Sequence, residues 1–127
     1  MTDSDAYERG LKVRTEIMGE AHIRNTIGSA DDFNRDIQDL TTAYCWGEVW
    51  SRPGLDRRTR SLLVLVMLTA LNRPEEVRLH VRAARRNGAS KDEIKEALLQ
   101  AAVYCGMPAA ISSFKIAREV FSTEESV

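Results

Sequence analysis

A chain of 127 residues, with 43% hydrophobic and 29% charged residues, has the composition of one globular domain large enough to bury a core. A net charge of −1 excludes a strong overall attraction to nucleic acid or to an acidic membrane surface. The apolar run at residues 62–68 is much shorter than the roughly 20 residues of a membrane span, and residues 1–5 lack an apolar signal segment. We therefore expect one cytoplasmic domain over residues 1–127, with frayed ends at residues 1–5 and 122–127.

The first half of the chain predicts two helices. Residues 5–19 predict the first helix, which Gly19 ends, and residues 20–28 predict a loop or turn that contains His22. Residues 29–32 resemble a capping arrangement, because acidic side chains are favourable at a helix N-terminus. The helix that follows has an apolar stripe with helical spacing, formed by Phe33, Ile37, Leu40 and Tyr44.

The best candidate for chemistry is the segment of residues 55–88, which follows a turn at residues 52–54. Its first helix opens with an arginine cluster and becomes apolar on every side, which predicts a helix buried all round. Pro74 begins the second helix, which ends at the left-handed cap signature of residues 87–88. One stripe of this second helix consists of Val77, His80, Val81 and Ala84. A single imidazole therefore faces inward, with arginines on either side of it.

The end of the chain predicts two more helices. Ser90 and Glu93 have the spacing of a capping box, which starts a helix that runs to residue 105. Residues 106–108 break the chain, and the last helix has an apolar face formed by Ile111, Phe114, Ala117 and Phe121. No segment alternates as a strand would. The sequence thus predicts an all-α fold, a bundle of about six helices in a single domain.

Four segments carry a resemblance to a known family: residues 46–55 (WGEVWSRPGL), 57–61 (RRTRS), 80–88 (HVRAARRNG) and 104–110 (YCGMPAA). As a set, and in this order, they resemble the carboxymuconolactone decarboxylase family, and within it the 4-carboxymuconolactone decarboxylases of aromatic catabolism. Weaker similarity reaches back to residues 6–10 and 19–22. The resemblance covers most of the chain.

The resemblance implies an alkylhydroperoxidase-like helical scaffold, a homo-oligomeric ring (trimer or hexamer) and a carboxy-lyase that uses no cofactor and no metal. The implied substrate is a dicarboxylate lactone, 4-carboxymuconolactone, which is converted to 3-oxoadipate enol-lactone and CO2 in the protocatechuate branch of the β-ketoadipate pathway. No nucleic acid or membrane partner is implied. Thiol enzymes on the same scaffold carry a C-x-x-C pair and a glutamate. At the equivalent positions this chain has Arg73 and Glu76 instead of the cysteines, and Ser61 instead of the glutamate.

The implied reaction gives the protein three tasks: to hold the retained carboxylate, to stabilise the oxyanion, and to protonate the ring. Arginine suits the first task because its planar fork binds a carboxylate bidentately, and the candidates are Arg52, Arg58 and Arg60. His80 is the candidate proton carrier, since an imidazole titrates near neutral pH. The oxyanion donor is one of Ser61, Asn87 and Tyr104, or a backbone amide. Trp46 and Trp50 are candidate wall residues, and Glu48 is a second candidate catalytic residue.

Each assignment has a simpler alternative. Arginines at this density are often solvated or paired with acids, and a lone histidine on an apolar stripe is often a core residue. Glu48 either orients an imidazole or pairs with an arginine, and His22 either reaches a neighbouring subunit or is an ordinary surface residue. The two tryptophans are alternatively core residues or a subunit contact.

Two other functions compete with the decarboxylase. One is a thiol-dependent peroxidase or disulfide reductase, which the absence of a C-x-x-C pair disfavours. We expect Cys45 and Cys105 to be inert core residues instead. The other is a non-enzymatic, oligomeric ligand-binding protein that keeps the arginine pocket without turnover.

Overall fold

The computed structural model describes residues 4–125, and it confirms the all-α prediction, since these residues contain helices and no strand. Seven α-helices and one π-helical segment follow each other in the chain. They are α1 (Ser4–Met18), α2 (Glu20–Thr26), α3 (Arg35–Leu40), the π-helical segment (Thr41–Trp50), α4 (Arg57–Ala70), α5 (Pro74–Arg86), α6 (Lys91–Cys105) and α7 (Met107–Glu125). No helix among them is both long and apolar enough to cross a membrane.

These elements form two compact units, an N-terminal unit that ends at Asp56 and a C-terminal unit that begins at Arg57. Each unit is described by itself below. The expectation of a single domain over residues 1–127 stays a prediction. The expected fraying of residues 1–5 and 122–127 lies outside the described residues at 1–3 and 126–127, and it is wrong for residues 4–5 and 122–125, which belong to α1 and α7.

The N-terminal unit is built on close packing of α1 against the π-helical segment. Two glycines make this approach possible. A Cβ atom at Gly10 would overlap the carbonyl oxygen of Thr42, and one at Gly47 would overlap the carbonyl oxygen of Ala6. The two backbones therefore touch where a side chain would keep them apart. Trp46 and Trp50 complete this core, with ring centroids 4.8 Å apart and very little exposed surface.

Two expectations for this unit need correction. Residues 20–28 do not form only a loop, because Glu20–Thr26 is helix α2, which follows Gly19 at its positive φ of 93°. The apolar stripe of the next helix is exposed in this chain, where it consists of Phe33, Ile37, Leu40 and Tyr44. Within the π-helical segment, the face that carries Thr42, Trp46 and Gly47 is buried instead, and Gly47 permits the close approach to α1.

The C-terminal unit packs α4, α5, α6 and α7 around one apolar core. Its fully or nearly buried members are Leu65, Val77, Val81, Ala84, Ala89, Ile94, Leu98, Ile116, Ala117 and Val120. The predicted boundaries are confirmed: Pro74 begins α5, and both arms of the Ser90–Glu93 capping box are formed. Gly88 and Gly106 adopt positive φ angles, as the chain reversals after α5 and α6 require.

The prediction that α4 is buried all round is wrong for this chain. Only one side of the helix is fully buried, along Ser61, Leu65 and Thr69, which are spaced four residues apart. Leu63 and Met67 on another side are 42% and 57% exposed. Thr69 is fixed in the core by a hydrogen bond of 2.7 Å between its hydroxyl and that of Ser113 on α7.

Candidate active site

Two of the predicted site residues are joined in the C-terminal unit. The Nδ2 atom of Asn87 donates a hydrogen bond of 3.1 Å to Oγ of Ser61. Ser61 is completely buried on α4, whereas Asn87 is half-buried at the C-terminal end of α5. The serine thus holds the amide in place, and of the two residues only Asn87 has accessible surface.

His80 lies on the same helix as Asn87, in the middle of α5. Its ring is half-buried and its Nδ1 atom is removed from solvent. The apolar residues of its stripe, Val77, Val81 and Ala84, are fully buried, so the predicted inward face of α5 is confirmed. Residues 80 and 87 are two helical turns apart, which places them on one side of the helix about 10 Å apart along its axis.

An acidic residue that sequence reasoning missed lies one turn before this histidine. Glu76 accepts a hydrogen bond of 2.6 Å at Oε1 from Nη2 of Arg73. This bond is the main reason that the pKa of Glu76 is lowered, and the positive charge of His80 lowers it further. Thus the two places that hold cysteines in the thiol enzymes hold an ion pair here, and its carboxylate interacts with the histidine. The i, i+4 spacing of residues 76 and 80 was the available signal.

Several arginines of this unit pair with acidic side chains. Arg58 pairs with Oε2 of Glu93, whose Oε1 accepts the backbone N–H of Ser90 in the α6 cap. Other pairs join α5 to α7, namely Arg78–Glu119 at 2.7 Å and Arg85–Glu124 at 2.9 Å, and Arg73, just before α5, pairs with Glu76. The alternative of arginines paired with acids therefore applies to Arg58. Arg60 is half-buried, with its Nε atom removed from solvent.

The candidates of the N-terminal unit lie on or just after the π-helical segment. Glu48 forms an ion pair of 3.2 Å with Arg9, which also donates from Nε to the carbonyl oxygen of Gly47 over 2.9 Å. Glu48 thus pairs with an arginine, one of its two predicted alternatives. Arg52 is exposed after the segment ends, and Trp46 is a core residue of its unit.

A buried polar cluster in the N-terminal unit was not predicted. Arg14 is only 4% exposed; its Nη1 donates to Oγ1 of Thr42 over 3.0 Å and its Nε donates to Nε2 of His22 over 3.3 Å. Burial lowers the pKa of His22, and the charge of Arg14 lowers it further. Burial raises the pKa of the Cys45 thiol, against the opposing effect of Arg14. This thiol is therefore protonated near neutral pH, which does not favour thiol chemistry.

Tyr104, a candidate oxyanion donor, is 79% exposed near the end of α6, and Cys105 beside it is also exposed. The prediction that Cys105 is a core residue is therefore wrong, while Cys45 is half-buried. Among the described residues, no group of three or more His, Cys, Asp or Glu side chains could hold a metal ion.

Comparisons with known proteins agree with the resemblance found in the sequence. The model of the carboxymuconolactone decarboxylase family matches residues 35–119. A 4-carboxymuconolactone decarboxylase of Acinetobacter baylyi is 47% identical over 95% of this chain and 90% of its own length. A nitrosuccinic acid decarboxylase of Metarhizium robertsii is 40% identical over 91% of this chain and 81% of its own length. An uncharacterised 15.0 kDa protein of Paracoccus denitrificans is 37% identical over 63% of this chain and 61% of its own length.

Proposed function

The chain belongs to the carboxymuconolactone decarboxylase family, and on that premise we propose that it removes CO2 from 4-carboxymuconolactone to give 3-oxoadipate enol-lactone. The observation that carries the proposal is the relative of that activity from Acinetobacter baylyi, which is 47% identical over nearly the whole of both chains. The place of His80 and Asn87 on one side of α5 supports it.

The substrate supplies its own electron sink. Breaking the bond between the ring carbon and its carboxylate releases CO2 and leaves the electron pair on the ring. This pair is delocalised through the double bond onto the lactone carbonyl oxygen. A proton must then be added to the remote ring carbon. The protein therefore needs a donor for the oxyanion, an acid for the carbon, and a cation for the retained carboxylate.

Asn87 fits the first task better than Ser61. An amide nitrogen carries two hydrogen atoms, and Asn87 uses one of them to donate to the buried serine. The other remains for an oxyanion, and the serine hydroxyl fixes its direction before substrate binds. Preorganised donors of this kind contribute about 10²–10³-fold to rate. Ser61 is then a positioning residue, because its own oxygen is completely buried.

His80 is the proposed acid. A positioned proton donor contributes about 10²–10⁴-fold, and its partly buried place on α5 allows one ring nitrogen to face the site while Nδ1 faces the protein. The ionised Glu76 one turn away favours the imidazolium form that donates the proton.

The remaining assignments are proposals that rest on the family resemblance. Arg60 is proposed to bind the retained carboxylate, and Arg58 is available to join it because a half-exposed ion pair such as Arg58–Glu93 is cheap to exchange. Arg52, in the N-terminal unit, stays a predicted substrate-binding residue. Glu48, Trp46 and Tyr104 stay predicted site residues. The homo-oligomeric ring also stays a prediction; sedimentation velocity of the purified chain measures it directly.

A second substrate is favoured by a specific observation, the nitrosuccinic acid decarboxylase from Metarhizium robertsii. Nitrosuccinate and the lactone are both dicarboxylates in which the carbanion left by CO2 loss is stabilised by a neutral oxygen acceptor, a nitro group or a conjugated lactone. Both reactions need the same proton donor and the same oxyanion donor. The lactone remains the first candidate because the similarity to the lactone enzyme is higher and covers more of both chains.

The test supplies each substrate separately to the same purified protein. The lactone is generated in place from carboxymuconate with a lactonising cycloisomerase, and CO2 release is measured together with enol-lactone formation. We expect a higher kcat/KM for the lactone than for nitrosuccinate. A higher value for nitrosuccinate would reassign the substrate, and release of CO2 from neither by a folded protein would reject the decarboxylase function.

A further inference from the structure

A groove between α6 and α7, within the C-terminal unit, has a composition that the proposed reaction does not use. Its base is apolar and consists of Ile94 and Leu98 from α6 with Phe114, Ala117 and Phe121 from α7. Three of these residues belong to the buried core, whereas the two phenylalanines are only half-buried. The groove has a volume of about 560 Å³, which is in the range of sites for small organic molecules.

The edges of this α6–α7 groove are cationic. Lys91 and Lys95 line it from α6, and Lys115 and Arg118 line it from α7. The one acidic residue of the lining is Asp92, which lies 3.7 Å from the Lys95 ammonium and is almost fully exposed. Four positive charges against one negative charge surround an apolar surface on a chain whose net charge is −1. The groove therefore has a local excess of positive charge, whereas the net charge of the whole chain is negative.

Two of the cations have no fixed role within the protein. Lys115 and Arg118 are exposed, and neither forms an ion pair or a hydrogen bond with another of the described residues. Lys91 lies over the ring of Phe121, with Nζ 5.4 Å from the ring centroid. The opposite edge of α7 differs, because it carries the acidic residues Glu119 and Glu124, which pair there with Arg78 and Arg85 of α5.

The pattern arises from the sequences of the two helices. On α7, Phe114, Ala117 and Phe121 recur at i, i+3 and i+7, and Lys115 and Arg118 follow the first two by one residue. On α6, Lys91 and Lys95 are one turn apart beside Ile94 and Leu98. Each helix thus presents an apolar stripe with cations along it, and the two stripes face the same groove.

We propose that the α6–α7 groove binds a small amphipathic carboxylate, a molecule with an apolar body and one anionic head. The body would cover the half-exposed phenylalanine rings, which is favourable because it removes apolar surface from water. The head would lie between Lys115 and Arg118, where a carboxylate finds a planar fork and a second positive charge. A neutral molecule of the same shape would gain only the hydrophobic contribution. A cation would be repelled.

The probe for this site is a set of three naphthalene derivatives of one shape: 2-naphthoate, 2-naphthalenemethanol and 2-naphthylmethylammonium. Binding to the full-length protein is measured by isothermal titration calorimetry at low and at high salt. We expect the affinity to decrease in the order carboxylate, alcohol, ammonium. The carboxylate should bind more weakly at high salt, because salt screens exposed charges. Equal affinity for carboxylate and alcohol would overturn the proposal.

A charge reversal locates the binding. The double variant Lys115→Glu with Arg118→Glu changes two exposed positions, so we expect the fold to survive, which circular dichroism verifies. In this variant the order of affinity of the three probes should be reversed, so that the ammonium binds more tightly than the carboxylate. The single variants Lys115→Gln and Arg118→Gln should each weaken 2-naphthoate by about two- to fivefold, as loss of one exposed charge interaction does.

The matched control is Lys12→Glu, an exposed charge reversal on α1, which should leave the order of the probes unchanged. Carboxylate binding that persists unchanged in the double variant would place the ligand elsewhere, for example at the arginines of the proposed active site, and would overturn the groove. Absence of any probe binding to the wild type would also overturn the proposal. If the double variant then had a different sedimentation coefficient from the wild type, the occupant of the groove would be a second copy of this chain. The groove variants leave every proposed catalytic residue in place, so these outcomes are independent of decarboxylase activity.

Discussion

Asn87 donates to Ser61 over 3.1 Å, and this bond joins the C-terminal end of α5 to the buried side of α4. The serine cannot reach a ligand from its place in the core, since its side chain has no exposed surface. Its effect on a substrate must therefore pass through the amide. We therefore propose different functions for the two residues, although the sequence alone made both of them candidates for the same one.

This difference gives the first prediction. Asn87→Ala should lower kcat for CO2 release by about 10²–10³-fold, because it removes the proposed oxyanion donor. Ser61→Ala should lower kcat less, because it removes only the group that orients the donor. Asn25→Ala, which removes an exposed amide on α2, is the control and should be neutral. An Asn87→Ala enzyme with the kcat of the wild type would reject this assignment.

Glu76 supports a prediction about pH. Its carboxylate is ionised well below neutral pH because Arg73 donates a hydrogen bond to it and lowers its pKa, and it interacts with the charge of His80. Glu76→Gln removes a negative charge that favours the imidazolium. If the imidazolium donates the proton, activity is lost as pH rises, and this alkaline limb of the profile of kcat/KM should move to lower pH in the variant.

The control for this experiment is Glu75→Gln, which removes the same charge from the neighbouring exposed position in the first turn of α5. It should leave the alkaline limb where the wild type has it. A reduced rate in Glu76→Gln with an unshifted pH profile would mean that Glu76 has only a structural role.

The lowered pKa of His22 leads to a prediction of how the stability of the fold depends on pH. Its pKa is lowered in the fold by burial and by Arg14, so the folded state prefers the neutral ring that accepts the hydrogen bond from Arg14. A lowered folded pKa means that the unfolded chain binds a proton first as pH falls. The contribution of His22 is therefore complete above its unfolded pKa of about 6.5 and is lost as pH falls below it.

The measurement is chemical unfolding of the wild type and of His22→Gln between pH 5 and pH 8. We expect the wild type to lose stability relative to the variant as the pH is lowered, because a protonated His22 would lie beside the buried guanidinium of Arg14. A difference in unfolding free energy that is the same at every pH would show that His22 does not titrate against Arg14.

Gly47 tests the packing of the N-terminal unit. A Cβ atom there would overlap the carbonyl oxygen of Ala6, and backbone atoms cannot move aside as a flexible side chain can. Gly47→Ala should destabilise the protein by about 1–3 kcal/mol, the usual cost of overpacking. Gly54→Ala is the matched control, since a Cβ atom there meets nothing within 4 Å. Equal thermal stability of the two variants would contradict the close contact of α1 with the π-helical segment.

The sequence predicted those features of the fold that depend on neighbouring residues. Gly19, Pro74, the Ser90–Glu93 cap and Gly106 end or begin helices for local reasons, and the structure has all four boundaries. Helix α2 was missed because its seven residues have no apolar face that repeats, and none of them is buried. A short helix of this kind gives no periodic signal.

Features that depend on distant residues were predicted less well. Arg14 lies in line with Ala6 and Gly10 at steps of four residues, yet an arginine in a stripe is normally assigned to the surface. Its burial follows from Thr42, which is 28 residues away. Likewise, nothing local predicts that Arg58 pairs with Glu93 on α6, which is 35 residues away. For the candidate site, the family resemblance supplied the residues, and the structure separated Asn87 from the serine that supports it.

The most direct test of the central proposal compares the wild type with His80→Ala in the coupled assay that generates 4-carboxymuconolactone in place. Arg82→Ala, an exposed position on the same helix, is the control for changes in α5. We expect the wild type and the control to release CO2 and form the enol-lactone, and the folded His80→Ala variant to be slower by about 10²–10⁴-fold. A folded His80→Ala variant that retains the full rate would contradict the role of the histidine. A folded wild type that releases no CO2 from the lactone would contradict the function itself.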